Sequence, residues 1–221
     1  MEFLSLSRGM RQCRRGVIAI TLIGAPIAVG AQITDAAGDW LPSYTGPRSP
    51  LLNGDLDILK AQVFFDGRNF LFTSTSAGNI GSTSGGFFVW GMNRGQGTAR
   101  FPTLAPGVLF DWVLSITPGG AVTTRDLISG VSTTIDASAV TFSGTTLSAL
   151  IPGNLLPSLG FSMADFTANL WPRVPGGLEG IADFAPDNRN FAVTVTPEPA
   201  AFALLGTGLF GLLVVSRRRS R

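Results

Sequence analysis

The stretch AQVFFDGRNFLFTSTS, residues 61–76, runs Phe-rich and alternating on both sides of Asp66-Gly67-Arg68-Asn69. Period two around a glycine-containing turn is the pattern of a β-hairpin, and it puts Phe70, Phe72 and Ser74 on one face. The same grammar recurs at intervals of about ten residues along the middle of the chain. GGFFVWGMN (85–93) reads as a strand, and in VLFDWVLSI (108–116) Phe110, Trp112, Leu114 and Ile116 are expected on one face, with Asp111 and Ser115 on the other. Pro118-Gly119-Gly120 turns the chain, AVTFSGTTLSALIP (139–152) makes a second hairpin around Ser143-Gly144, and NFAVTV (190–195) closes the series. Only Asn154 to Phe166 can hold a helical turn, and Pro157 keeps it short. The expectation is an all-β fold, a single antiparallel β-sandwich of jelly-roll type.

The two ends follow a different grammar. Arg8, Arg11, Arg14 and Arg15 precede a 14-residue apolar stretch from Gly16 to Val29, and Val29-Gly30-Ala31 offers small residues for cleavage after Ala31. That is a secretory signal helix and a signal peptidase site. Cys13 lies before the apolar run, so it is not a lipoprotein cysteine. At the other end Ala200 to Val215 is uncharged, with Thr207 its only polar side chain, and is followed by Arg217, Arg218, Arg219 and Arg221. Sixteen helical residues reach about 24 Å, a short transmembrane helix against a core of about 30 Å. The arginines would stay cytoplasmic and everything before Pro197 outside. The expected organisation is therefore 1–31 signal peptide, 32–196 sandwich, 197–221 sorting signal with its helix and basic tail.

Pro197-Glu198-Pro199, an apolar helix and a terminal basic cluster, in that order, resemble the PEP-CTERM sorting signal of exported proteins in Gram-negative bacteria. TPEP stands here for the frequent VPEP. The resemblance implies an exosortase that recognises the motif and removes the tail at the inner membrane, and a destination at the cell surface or in an exopolysaccharide or biofilm matrix. A second resemblance covers the middle. DAAGDW, GDLDI, FDGRNFLF, SGTTLSALIP, ANLWPR and DFAPD, in that order, are similar to the DOMON-like and family 9 carbohydrate-binding module β-sandwiches. It implies a ligand surface, often for sugar or haem. The haem branch needs histidine or methionine ligands, and the chain contains no histidine.

With the signals set aside, residues 32–196 carry eight basic side chains against twelve acidic ones. A net charge of −4 gives nucleic acid no cationic face to bind. Cys13 is the single cysteine, so no disulfide holds the exported part. The missing histidine excludes Ser-His-Asp and Cys-His nucleophiles and the common zinc sites. What remains for catalysis is a carboxylate pair as in glycosidases, and nothing in the sequence selects one; the expectation is no enzyme.

The acidic residues have another use. Asp35 and Asp39, Asp55 and Asp57, and Asp183 and Asp187 stand in short-spaced pairs within Gly- or Pro-containing loops. Such hard oxygen donors suit Ca²⁺ if the loops converge, and are otherwise ordinary turn formers. Trp40 and Trp171, each near a proline, are the candidates for stacking on sugar rings, while Trp112 reads as core. Three functions compete: a non-enzymatic surface or matrix protein binding polysaccharide, a purely structural matrix protein, and a carboxylate-based glycosidase.

Overall fold

A computed structural model describes residues 32–195. Its strands are β1 (Ile33–Thr34), β2 (Ile58–Phe65), β3 (Asn69–Ser76), β4 (Phe87–Asn93), β5 (Thr98–Ala99), β6 (Leu109–Phe110), β7 (Trp112–Ile116), β8 (Val122–Asp126), β9 (Ser132–Ile135), β10 (Val140–Ser143), β11 (Thr146–Pro152), β12 (Thr167–Arg173), β13 (Phe191–Ala192) and β14 (Thr194–Val195). One sheet runs β1-β2-β3-β11-β10 with β14 added beside β2; the other runs β13-β12-β4-β7-β8-β9. All pairings within these sheets are antiparallel except β14 with β2. The signal helix, the cleavage site at Ala31, the Pro197-Glu198-Pro199 motif and the terminal arginines lie outside the described residues.

The hairpins form where the turn chemistry places them. Asp66 Oδ1 accepts from the N–H groups of Arg68 and Asn69, at 2.8 and 2.6 Å, and Gly67 takes the left-handed φ of 92° that a side chain would resist. With that turn set, β3 alternates and sends Phe70, Phe72 and Ser74 inward. Phe72 meets Trp90 edge-on at 5.4 Å and Trp112 at 6.4 Å across the two sheets, and Phe70 stacks on Phe166 at 5.8 Å. Each such ring contributes about 1.5–3 kcal/mol by leaving water. The short turn between Asn154 and Phe166 is present as two 3-10 turns, Gly153–Leu155 and Met163–Asp165.

At β4 and β12 the second sheet is buried on both faces, which simple alternation does not announce. Its outer side carries a second apolar cluster made of Val89, Phe101, Ala105, Val108, Phe110, Trp171, Ile181 and Phe184. Two expectations are corrected by it. Phe110 does not share a face with Trp112: the strand breaks at Asp111, so Phe110 joins the outer cluster while Trp112 enters the inner core. Trp171 is not an exposed stacking ring. It is 3% exposed and wedged against Phe101, Phe110 and Phe184, with centroids 5.1, 4.8 and 6.2 Å away.

The break at Asp111 is held by a buried network. Fully buried Arg94 reaches Asp111 Oδ1 through Nε at 2.7 Å and Asp126 Oδ2 through Nη2 at 2.9 Å. Asp111 Oδ2 accepts from the N–H groups of Arg94 and Gln96, each at 3.0 Å. The ends of β4, β7 and β8 are thereby tied to one guanidinium.

Trp171→Ala should destabilise the protein by about 3–5 kcal/mol, as expected for a core ring rather than a surface one. Gly91 lies under the same indole, where an added Cβ would stand 2.6 Å from the ring. Gly91→Ala should therefore cost about 1–3 kcal/mol; equilibrium urea unfolding of both variants is the check.

Candidate metal centre

Where β2 and β12 approach each other, three chain segments deliver carboxylates to one place. Asp35 follows β1 and is fixed by its N–H bonding to Leu59 O at 2.9 Å. Asp39 comes four residues later, after a turn through Gly38, whose φ is 78°. Gly38 N–H donates to Asp57 Oδ2 at 2.9 Å, so the first loop is pinned to the residue that opens β2. Asp183 lies on the segment alongside β12 and accepts the Ile58 N–H at 2.9 Å, a bond from one sheet to the other. Asp187 follows the cis Ala185–Pro186 peptide. Asn169, buried in β12, holds that loop by donating Nδ2 to Pro186 O at 2.6 Å and to Arg189 O at 3.0 Å.

The result is two overlapping triads, Asp35-Asp39-Asp187 and Asp39-Asp57-Asp183, with the ligand atoms of each within 4.8 Å of one another. Oxygens bound to one calcium at about 2.3–2.6 Å lie no farther apart than about 5 Å, so each triad fits around a cation. Asp57 and Asp183 are each about 1% exposed, yet Oδ1 of both has no hydrogen-bond partner, and the same holds for the buried atoms Asp35 Oδ2 and Asp39 Oδ1. Buried polar atoms are rarely left orphaned, because each costs about 1–3 kcal/mol. The ion pairs among the described residues belong to Arg94, so no basic side chain of theirs neutralises these five carboxylates. Their proton affinities register the strain. Burial, then the charges of Asp39 and Asp187, push Asp35 up to about 7. Burial and neighbouring carboxylates likewise raise Asp39, and lift Asp183 well above the usual carboxylate range; Asp57 is raised by burial. The donor set is all oxygen, with no nitrogen or sulfur, which is the chemistry of Ca²⁺ rather than of zinc.

Asp55 departs from its expected role. Its Oδ2 accepts from the N–H groups of Gly81 and Thr83 at 3.1 and 3.0 Å, and its Oδ1 accepts from the Thr83 hydroxyl. It fastens the loop after β3 and takes no part in either triad, because the 3-10 turn Gly54–Leu56 points it away from Asp57. Trp40 is half-buried and stacked on Tyr44 at 5.7 Å, beside Asp39 in sequence, and does not form a pair with buried Trp171.

The description of the PEP-CTERM protein-sorting motif matches residues 195–219. The chain carries a PEP-CTERM sorting signal. It is thus an exported protein, sorted through the membrane by an exosortase to the cell surface. The match begins at Val195, the last residue of β14, so the signal starts where the sandwich stops. No curated protein and no solved structure matches the chain.

Calcium at a hundredfold excess over its Kd should raise stability by about 2.7 kcal/mol, by binding the native state alone. Asp39→Asn, which touches both triads, should abolish that gain, whereas Asp55→Ala should lower stability equally with and without chelator. The pH dependence has a defined sign. An acid held at about 7 when folded and near 3.8 when unfolded binds its proton more tightly in the native state, so in chelator stability should fall as pH rises through that interval. Saturating calcium should remove the fall; differential scanning calorimetry at several pH values reads both effects.

Proposed function

We propose that this chain is a non-enzymatic cell-surface or matrix protein whose sandwich closes around calcium after export, and which binds extracellular polysaccharide. The observation that carries the first part is the convergence of five carboxylates, with orphaned buried oxygens, in a chain bearing an export-and-sorting signal. Extracellular calcium is abundant enough to fill sites of modest affinity. Binding would lock the seam between the sheets in a domain without a disulfide, since Cys13 lies in the N-terminal signal region.

The polysaccharide reading rests on the association of such signals with exopolysaccharide matrix and on Trp40. With Trp171 in the core, Trp40 is the remaining candidate for stacking, and it stands next to Asp39. A glycan there would meet an indole edge beside a cation that can take hydroxyl oxygens. The glycosidase alternative is less favoured: the ligand atoms of each triad converge within 4.8 Å of one another, as around a single cation.

Two measurements test the reading. Secreted protein should lack residues beyond about Pro199 by intact mass, and replacing Pro197 and Glu198 should keep the full-length form in the membrane. In pull-downs with the producing cells' exopolysaccharide, retention should fall on adding chelator and in Trp40→Ala, measured well below the melting temperature of that variant. Retention indifferent to both would leave a structural matrix protein without a specific ligand.

A further inference from the structure

Val195 pairs with Phe65, at the end of the sandwich where the β2–β3 turn lies. Only Thr196, Pro197, Glu198 and Pro199 separate it from the apolar run that begins at Ala200. Five residue steps of about 3.3–3.6 Å span at most about 18 Å. A sandwich so tethered cannot stand far from whatever holds the run. If residues 200–215 sit in the bilayer, this end faces it.

Strand registers show what else the end displays. Asn93 and Thr167 are paired there, as are Met92 with Trp112 and Trp112 with Asp126, so the β8–β9 turn and the loop leading into β12 are at the same end. Those two loops carry Ile128, Val131 and Phe161, which are 50, 59 and 40% exposed. The loops are not slack. Phe161 N–H bonds to Arg94 O, Arg94 pairs with Asp126, and Asp126 Oδ1 accepts from Ile128 N–H. One buried guanidinium thus fixes the apolar tips relative to one another. With the chain exit at the β2 edge and Ile128 and Val131 toward β9, they are spread across the end of the molecule rather than clustered.

The outer face of the first sheet grades the same way. Beyond the turn-proximal pair Asn69-Pro152, its first full row is apolar, Phe64 against Leu71 against Leu150; the rows farther up are Gln62-Thr73-Ser148 and Lys60-Thr75-Thr146. A pose lying flat on that face would press polar rows into lipid, whereas an upright pose meets lipid with apolar tips. Exposed Arg68 and Arg125 are balanced at this end by exposed Asp66 and Asp165, so contact there rests on the apolar tips.

We propose that this end of the sandwich is a membrane-contacting face, seated on a phospholipid surface through Ile128, Val131 and Phe161 while the sorting tail is in place. The inference rests on the reading that the tail is membrane-held. Contact would present the Pro197-Glu198-Pro199 segment at the depth of a membrane-embedded processing enzyme. The opposite end supplies an internal control. Leu51 is 93% exposed, but it precedes the Asp57 end of β2, about 27 Å away by the length of that eight-residue strand.

The test uses the full chain in a Cys13→Ser background, expressed in a Gram-negative host lacking exosortase and purified from its membranes. Single cysteines at Ile128, Phe161 or Leu51 carry an environment-sensitive fluorophore, and the protein is reconstituted in vesicles of phosphatidylethanolamine and phosphatidylglycerol in equal parts. Labels at 128 and 161 should shift to the blue and be quenched by lipid-borne quenchers, and the label at 51 should do neither. If protein floats with the vesicles but 128 and 161 stay as water-exposed as 51, or all three are shielded alike, the contact face is wrong and the membrane-held tail stands. Protein that does not float with the vesicles overturns both.

Discussion

Five carboxylates meet at a seam between the two sheets of this sandwich. Asp183 bonds across that seam to the backbone of Ile58, and Asp57 holds the loop that brings in Asp39. The fold therefore closes by means of the same carboxylates whose mutual repulsion opposes closure. Without a counter-charge the conflict is met by protonation, which is why Asp35 and Asp183 hold their protons so far above the usual range. A divalent cation resolves it without a proton. If calcium fills the cluster as proposed, the surroundings of an exported domain become part of the structure, because calcium is plentiful outside a cell and scarce within it.

The other organising charge has the opposite logic. Arg94 is as buried as any core residue, but both partners are supplied by its own sheet, and its backbone and side chain share Asp111. Breaking such a pair leaves an uncompensated buried ion, so it specifies the break in the strand at Asp111 that sends Phe110 outward and Trp112 inward. The carboxylate cluster has no basic partner among the described residues, whereas the arginine network is complete. One end of the sandwich is accordingly rigid by itself, and it is the end from which the sorting signal leaves.

Much of this was readable in advance. Alternation around Asp66-Gly67 and Ser143-Gly144 yields the hairpins because a turn with left-handed glycine leaves the flanking strands one register, in which Phe65, Phe70 and Phe72 face inward. The aspartate pairs were visible as spacing. Their sorting was not: Asp55 and Asp57 are two residues apart, and a single 3-10 turn sends one to the loop after β3 and the other to the centre. Asn169 left no mark at all, since a buried asparagine in a strand looks like any polar residue until the loop it clamps is in place. The glycine of DAAGDW was the one local hint, a position that needs positive φ to fold Asp39 back toward Asp57.

By itself the sequence determined the class of fold, the export signals and the residues able to ligate a hard cation, because these depend on periodicity, composition and short spacing along the chain. Tertiary structure alone decided which carboxylates meet and which indole is buried. Asp39 and Asp183 are brought together by two sheets that pair residues far apart in sequence, and Trp171 is covered by a loop from before β7 that no local pattern assigns to it. Local energies choose a strand or a turn; what a side chain faces across the packed layers is set by the closure of the whole sandwich.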